Sequence, residues 1–282
     1  MNAVTTAANT NTPTTDLPDY AAIKTKQNAA WSSGDYAKIG ATLQIVGEEL
    51  AETMDLRPDA KVLDVAAGNG NATLAFARRW CDVTSTDYVD TLLERGRARA
   101  EAEGLDVNFQ IADAEALPFE DGAFDAVVST YGVMFAPDQQ TAASELIRVC
   151  RPGGKIGLAN WTPDGFIGAI FKTLGSHVAP PAGVKSPALW GSRDWVDATF
   201  GPHADISFTA KDFVFRYRSP DHFASFFRTY YGPVHKAFLA LDADGQDALH
   251  ADLLATVARY DTATDGSMRV PSQYAEIVAT KA

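Results

Sequence analysis

The sequence predicts an α/β fold, a doubly wound and mostly parallel sheet of seven strands that carries helical insertions. Between residues 61 and 160, short apolar runs typical of buried strands alternate with helical segments. Helical connections of roughly 10–15 residues imply right-handed crossovers and parallel pairing. The first apolar run also breaks at the turn "AAGNG" directly into a helical pattern, and two further strand-like segments follow in the second half of the chain.

Each element is predicted from its apolar spacing and from the residues that end its pattern. A helix is predicted over 41–54, where apolar residues recur at near-helical spacing before the stop "RPDA". Beyond Trp161, "ISFTAKDFVFRYR" predicts a strand, residues 219–262 predict helices, and "YAEIVATKA" predicts the last strand. The alternation of apolar runs and helical segments between residues 61 and 160 predicts strands at 61–66, 82–86, 106–111, 123–129 and 155–160, with helices at 70–80, 89–103 and 138–150.

Composition argues against several classes of protein. A formal charge of −12 disfavours a nucleic-acid partner, because it repels phosphates and no basic patch stands out. Cys81 and Cys150 are too few for a disulfide framework or a thiolate metal cluster, and no metal site is predicted. No apolar run suits a membrane span, and the N-terminus lacks the pattern of a signal peptide, so a cytoplasmic protein is expected. Formation of a homo-oligomer is left open.

The turn after the first strand is the first candidate ligand site. Ligands of open α/β sheets bind beyond the carboxyl ends of the strands. Gly68 and Gly70 let backbone approach a ligand closely, and the following helix offers free N–H groups and partial positive charge. A dinucleotide-binding turn would carry a third glycine where this chain has Thr73, which weakens that interpretation. For this stretch alone, a purely structural turn is the alternative.

Acidic residues end the next two predicted strands. Asp87 ends the second strand, where its two carboxylate oxygens can accept both hydroxyls of a ribose. A cap on the following helix is the other interpretation of Asp87. Asp113 ends the third strand, in a position to accept from the exocyclic amine of adenine.

These blocks, followed by "DAEALPFEDGAFDAVV" and "RVCRPGG", resemble the class I S-adenosylmethionine-dependent methyltransferases over about residues 40–162. The closest likeness is to the small-molecule group that includes the ubiquinone/menaquinone C-methyltransferases. The resemblance implies a Rossmann-like sheet, S-adenosylmethionine as cofactor with S-adenosylhomocysteine as product, and methyl transfer to a small-molecule acceptor. The two downstream blocks are more specific than the glycine turn.

The resemblance also implies roles for individual residues. Asp64 would lie near the methionine part of the cofactor. Ala66 stands where the family has its first glycine, and a methyl group is small enough that binding is expected to survive. The remaining implied cofactor contacts are the backbone cradle of Gly68, Asn69 and Gly70, the ribose carboxylate of Asp87, the adenine-packing ring of Tyr88, the amine-reading Asp113 and Ala114, and the backbone of Ser129, Thr130 and Tyr131.

A segment before the first strand, "WSSGDYAKIG", resembles the N-terminal lid of such enzymes. Trp31 and Tyr36 would then close over the cofactor, although packing on the outer face is an equal alternative. The predicted organisation is a disordered tail at 1–17, a helical lid at 18–56, the cofactor-binding core at 57–162, and a C-terminal part of the sheet with helical acceptor-pocket insertions at 163–282.

Methyl transfer from a sulfonium is an in-line displacement, so such an enzyme mainly aligns its reactants and excludes water. Tyr131, just past the fourth strand, is expected to orient the acceptor. His235 is the most plausible base if its insertion folds over the sheet edge, although a lone histidine is more often structural. The aromatic-rich insertion suits a planar or lipophilic acceptor. A cofactor-binding protein with a non-methylating role and a nicotinamide-dependent oxidoreductase are the alternatives.

Overall fold

The computed structural model describes residues 18–282, so the tail predicted at 1–17 lies outside the described residues. Its sheet has seven strands in the order β3-β2-β1-β4-β5-β7-β6. The first five strands pair in parallel, and β7 runs antiparallel between β5 and β6. The strands are β1 Lys61–Val65, β2 Asp82–Asp87, β3 Asn108–Ile111, β4 Phe124–Thr130, β5 Cys150–Trp161, β6 Ala204–Tyr217 and β7 Met268–Lys281. The predicted doubly wound, mostly parallel Rossmann-like sheet is confirmed.

Helices cover both faces of this sheet and form the insertions. Those between the parallel strands lie within a few residues of their predicted positions. The N-terminal helices are α1 Tyr20–Ser33, α2 Tyr36–Gly40 and α3 Gln44–Met54, the crossovers are α4 Asn71–Ala77, α5 Asp90–Glu103 and α6 Gln139–Val149, and the later helices are α7 Phe166–His177, α8 Arg193–Phe200, α9 Pro220–Tyr230, α10 Gly232–Leu239 and α11 Ala243–Tyr260.

The sequence "RPGG" belongs to β5, although the strand was expected to start after it. Phe124 of β4 pairs with Cys150, whereas Ala126 pairs with Lys155, so the intervening residues bulge out of the ladder. Gly153 adopts φ +70°, a left-handed conformation that glycine adopts at little steric cost. The glycines therefore make a bulge within the strand rather than a turn before it.

Strand order reverses at the centre of the sheet, and that reversal opens a crevice. β1 pairs with β2 on one side and with β4 on the other, so the connections leaving β1 and β4 run to opposite faces. Val62, Leu63 and Val65 of β1 are buried, which fixes this strand in the core. Ligands of open α/β sheets bind at such a switch point.

Candidate active site

A cavity of about 910 Å³, including its opening to solvent, lies at the carboxyl ends of β1 to β4. The segments following these four strands form its walls, and α1 and α2 cover it. Ten of the residues predicted for the site line this cavity: Trp31, Ala66, Gly68, Asn69, Asp87, Tyr88, Asp113, Ala114, Thr130 and Tyr131. Four others, Asp64, Gly70, Ser129 and His235, do not.

Asp64 supports the glycine turn from beneath. Its Oδ2 accepts hydrogen bonds from the backbone N–H of Thr73 at 2.8 Å and from the Thr73 hydroxyl at 2.6 Å. Its Oδ1 is buried without a partner among the described residues. Burial raises the pKa of Asp64 to about 7, although the two donors from Thr73 pull in the opposite direction. Thr73, which replaces the third glycine of a dinucleotide turn, therefore anchors α4 to β1.

The glycine turn has a left-handed backbone at three positions: Ala66 at φ +52°, Gly68 at φ +58° and Gly70 at φ +83°. Only Ala66 bears a side chain there, at a cost of roughly 1–2 kcal/mol. Gly132, after β4, makes room for it, because a Cβ on Gly132 would lie 2.0 Å from the carbonyl oxygen of Ala66. Gly132 was not predicted, because its only signal in the sequence is its position after the fourth strand.

Asp87 lines the cavity and also orders its wall. Its Oδ2 accepts from the N–H of Gly68 at 2.9 Å and its Oδ1 from the N–H of Val89 at 2.9 Å. Burial raises the pKa of Asp87 to about 6 despite these donors. Each carboxylate oxygen can accept a second hydrogen bond. Asp87 therefore orders the entry to α5 and retains acceptors for a ligand.

Asp113 is held by the lid as well as by its own loop. Its Oδ1 accepts from the N–H of Glu115 at 2.9 Å, and its Oδ2 lies 2.7 Å from Nζ of Lys24 on α1. Lys24 also lies 2.9 Å from Glu115 Oε2. Lys24 was not predicted, although its helical spacing to Gln27 and Trp31, which also line the cavity, was a usable signal.

Trp31 joins the lid to the rest of the site. Its ring contacts three aromatic rings edge-on, with centroid distances of 5.0 Å to Phe135, 5.5 Å to Tyr36 and 5.6 Å to Tyr231. These partners come from the loop after β4, from α2 and from the turn before α10. The structure therefore brings Trp31 and Tyr36 over the cavity and not onto an outer face.

An apolar chamber of about 310 Å³, a volume that includes its opening to solvent, adjoins the larger cavity. No charged side chain is among its lining residues. The two spaces share Tyr36, Leu43, Tyr131 and Phe135. The remaining lining residues of the apolar chamber are Ile39, Trp161, Ile167, Phe215, Phe227 and Tyr231.

Tyr131 stands between the two spaces. Its side chain is buried, and its hydroxyl has no hydrogen-bond partner in the part of the chain that the structure describes. Burial raises the pKa of Tyr131 well above its ordinary value, so the phenol stays protonated at neutral pH. A buried hydroxyl without a partner is uncommon, and a ligand oxygen or nitrogen would satisfy it.

The structure does not bring His235 to the site. Helix α10 turns Val234, Ala237 and Phe238 inward, and His235 lines neither space. Its Nδ1 lies 3.0 Å from the carbonyl oxygen of Arg228, a structural contact. His235 is therefore not placed to act as the base that its sequence position indicated.

Two further predicted residues have structural contacts. The Ser129 hydroxyl donates to the carbonyl of Val65 at 2.7 Å and accepts from the N–H of Val133 at 3.0 Å, beneath the cavity wall. Gly70 begins α4. Within residues 18–282, no three His, Cys, Asp or Glu side chains group as a metal site. No helix of that range is long and apolar enough to cross a bilayer.

Several polar groups face the cavity. Asp87 and Asp113 present carboxylates to it near the ends of adjacent strands. Asn69 lines the same cavity, and its Nδ2 is buried with no partner in the described chain, so it can donate to a carboxylate. Fold and site thus define an α/β protein with a polar ligand cavity at the switch point of its sheet.

Comparison with known proteins gives the family. Residues 62–154 match the family described as "Methyltransferase domain". The chain is 42% identical over 221 residues to the uncharacterized protein Rv1403c of Mycobacterium tuberculosis, covering 77% of this chain and 81% of that protein. It is 38% identical over 124 residues to the demethylmenaquinone methyltransferase of Thermus thermophilus, covering 43% of this chain and 56% of that enzyme.

A solved structure agrees in fold. The YcgJ protein of Bacillus subtilis superposes with a TM-score of 0.58 at 20% identity, covering 83% of this chain and 97% of that protein. The chain therefore belongs to the methyltransferases.

Proposed function

We propose that this methyltransferase binds S-adenosylmethionine in the larger cavity and methylates a small aromatic or lipophilic acceptor held in the apolar chamber. One observation carries the proposal. The larger cavity, with its carboxylates and glycine turn, adjoins a chamber lined wholly by aromatic and aliphatic residues, and Tyr131 lines both. In-line displacement needs donor and acceptor in adjoining spaces of this kind.

On the cofactor side, each lining group has a role that its contacts support. Asp87 accepts from the ribose hydroxyls, and Asp113 with Ala114 reads the adenine amine. Tyr88 packs on the adenine, while the turn from Ala66 to Asn69 cradles the amino acid part. When bound, the cofactor supplies an electrophilic methyl group.

On the acceptor side, the chain positions a ring and excludes water. The aromatic walls of the chamber favour a planar or lipophilic molecule. Tyr131 donates its free hydroxyl to the acceptor and so aligns the attacking atom. A named relative, the Thermus enzyme, is a demethylmenaquinone methyltransferase, which agrees with a ring-shaped acceptor. No general base is assigned, since neither His235 nor any charged side chain lines the chamber.

Calorimetry and an acceptor screen test this proposal. S-adenosylhomocysteine should bind the purified protein, and NAD and NADP should not. Incubation with methyl-labelled S-adenosylmethionine and a panel of phenols, quinols, amines and thiols should label at least one planar, apolar member. Labelling only of charged aliphatic amines would contradict the proposed acceptor class. Binding of S-adenosylhomocysteine with no transfer to any acceptor would favour the non-methylating alternative.

A further inference from the structure

Tyr274 connects the aromatic rings around Tyr131 to a network of charged side chains. Tyr274 of β7 pairs in register with Trp161 of β5, and its ring lies edge-on to both Tyr131 and Trp161. The centroid distances are 5.8 Å to Tyr131 and 6.3 Å to Trp161. Tyr274 is 1% exposed but lines neither space, so it reaches the site only through these rings.

The hydroxyl of Tyr274 is fixed by a carboxylate from α3. It donates to Oε2 of Glu49 at 3.0 Å. Nζ of Lys211 lies 3.5 Å from the same oxygen and 2.8 Å from Oε2 of Glu276, whose side chain is 3% exposed. The Thr53 hydroxyl donates to the other oxygen of Glu276 at 2.8 Å. A buried carboxylate with a cation and a hydroxyl as partners makes a rigid anchor.

We propose that Tyr274, held by Glu49, is a positioning residue for the acceptor side of the site. The inference rests on the proposed function of Tyr131. The hydrogen bond from Tyr274 to Glu49 fixes the height and tilt of the Tyr274 ring, and that edge-on ring fixes the stack of Tyr131 on Trp161. The lysine, which also contacts the second carboxylate, keeps Glu49 in place, and Glu49 itself lines neither space.

The expected size of the effect follows from geometry. Edge-on aromatic pairs prefer one relative orientation of their rings, so the Tyr274 ring selects the orientation of its neighbours. Misplacement of a reacting group by about 1 Å can cost on the order of 100-fold in rate, so a tilt of a fraction of that costs on the order of 10-fold. Cofactor binding does not depend on this orientation and should stay constant.

Nuclear magnetic resonance of the full chain saturated with S-adenosylhomocysteine tests the inference without an acceptor. The five tryptophans, labelled with ¹⁵N, give five indole resonances, and Trp161→Phe assigns the one in the stack. Tyr274→Phe and Glu49→Ala should shift the Trp161 resonance in the same direction. Glu49→Gln, which keeps an acceptor oxygen, should leave it in place. Glu52→Ala, which removes an exposed carboxylate from the same helix, is the matched control.

Turnover supplies the second measurement. With 1-naphthol as the acceptor, Tyr274→Phe and Glu49→Ala should each lower kcat on the order of 10-fold while the Kd of S-adenosylhomocysteine stays within about twofold. The double variant should lose no more than either single one, because both remove the same contact. An unmoved Trp161 resonance in both single variants overturns the inference. Failure of the wild-type chain to bind S-adenosylhomocysteine would instead overturn the proposed function.

Discussion

The ring of Tyr131 lies parallel to the indole of Trp161, with centroids 4.0 Å apart and an angle of 6° between the ring planes. The Tyr131 backbone N–H donates to the carbonyl of Ala159 at 2.8 Å, and the residue adopts a left-handed φ of +57°. Such a conformation is uncommon for a tyrosine and persists only where the surroundings enforce it. The sheet therefore fixes the ring that divides the two spaces.

Tyr131→Phe should lower turnover on the acceptor about 10-fold, the equivalent of one lost hydrogen bond of about 1.4 kcal/mol. The phenyl ring preserves the stack on Trp161, so the Kd of S-adenosylhomocysteine should stay within a few-fold. Initial rates with the best acceptor of the panel, together with calorimetry, measure both quantities.

His235→Ala is the control for that experiment. The sequence indicated both residues for the acceptor side of the site, but the His235 ring contacts the Arg228 carbonyl and lines neither space. Turnover should therefore remain at the wild-type level. A loss in His235→Ala as large as that in Tyr131→Phe would mean that α10 reaches the acceptor in a way that this structure does not show.

Asp87→Ala should weaken binding of S-adenosylhomocysteine by roughly 1.5–3 kcal/mol, because a charged acceptor for the ribose hydroxyls is lost. The N–H groups of Gly68 and Val89 also lose their acceptor, so some local order of the turn is expected to go with it. Calorimetry gives the affinity, and circular dichroism checks the fold.

Asp90→Ala is the matched control, since Asp90 is an exposed acid in the first turn of the same α5. Its removal should leave the dissociation constant unchanged. If Asp87→Ala also left it unchanged, Asp87 would serve only to cap the helix.

The pKa values of Asp64, about 7, and Asp87, about 6, predict the pH dependence of stability. Both pKa values lie above the ordinary value of 3.8. Between pH 3.8 and the raised pKa of each group, the folded protein without ligand therefore holds more protons than the unfolded chain. The free energy of unfolding should therefore fall as the pH rises through this window, by up to about 1.4 kcal/mol per pH unit for each group. Chemical denaturation at pH values spanning the window measures it.

Asp64→Asn tests the assignment of this pH dependence. The asparagine side-chain oxygen can still accept from Thr73, but the residue no longer titrates, so the fall in stability with pH should become shallower.

The affinity of the wild-type chain for S-adenosylhomocysteine should change with pH in the opposite direction to stability. It should rise roughly 10-fold from about pH 5 to pH 7.5, because ribose hydroxyls bind the ionised Asp87. An affinity independent of pH would contradict the ribose role of Asp87.

The fold was predictable because its signals are local. Apolar runs that alternate with helical segments predict strands and crossover helices without knowledge of which strands pair. The carboxyl ends of parallel strands lie at one edge of the sheet. The positions of Asp87 and Asp113 followed from that rule. The face that a short helix turns inward depends on what it packs against, which is why the sequence placed His235 at the site and the structure does not. Lys24 lies 89 positions before Asp113 in the chain, so the sequence offers no local signal of their contact.

Two glycines let the lid pack directly on the acceptor side of the site. A Cβ on Gly34, just after α1, would lie 2.5 Å from the carbonyl oxygen of Tyr230. A Cβ on Gly232, at the start of α10, would lie 2.7 Å from the carbonyl oxygen of Ala30. Close backbone packing of this kind couples the two segments, since neither can keep its position if the other moves.

Gly34→Ala should separate these segments, because the added methyl group collides with a backbone oxygen and overpacking costs about 1–3 kcal/mol. We expect weaker S-adenosylhomocysteine binding and lower turnover together, since α1 covers one space and Tyr231, the residue just before α10, lines the other. Hydrogen exchange should show residues 25–40 and 220–236 becoming protected together when cofactor and acceptor bind, and this joint protection should be lost in the variant. Gly175→Ala is the control, because a Cβ there meets no atom within 4 Å. Equal protection of both segments with and without ligands in the wild-type chain would show a preformed pocket instead of a closing lid.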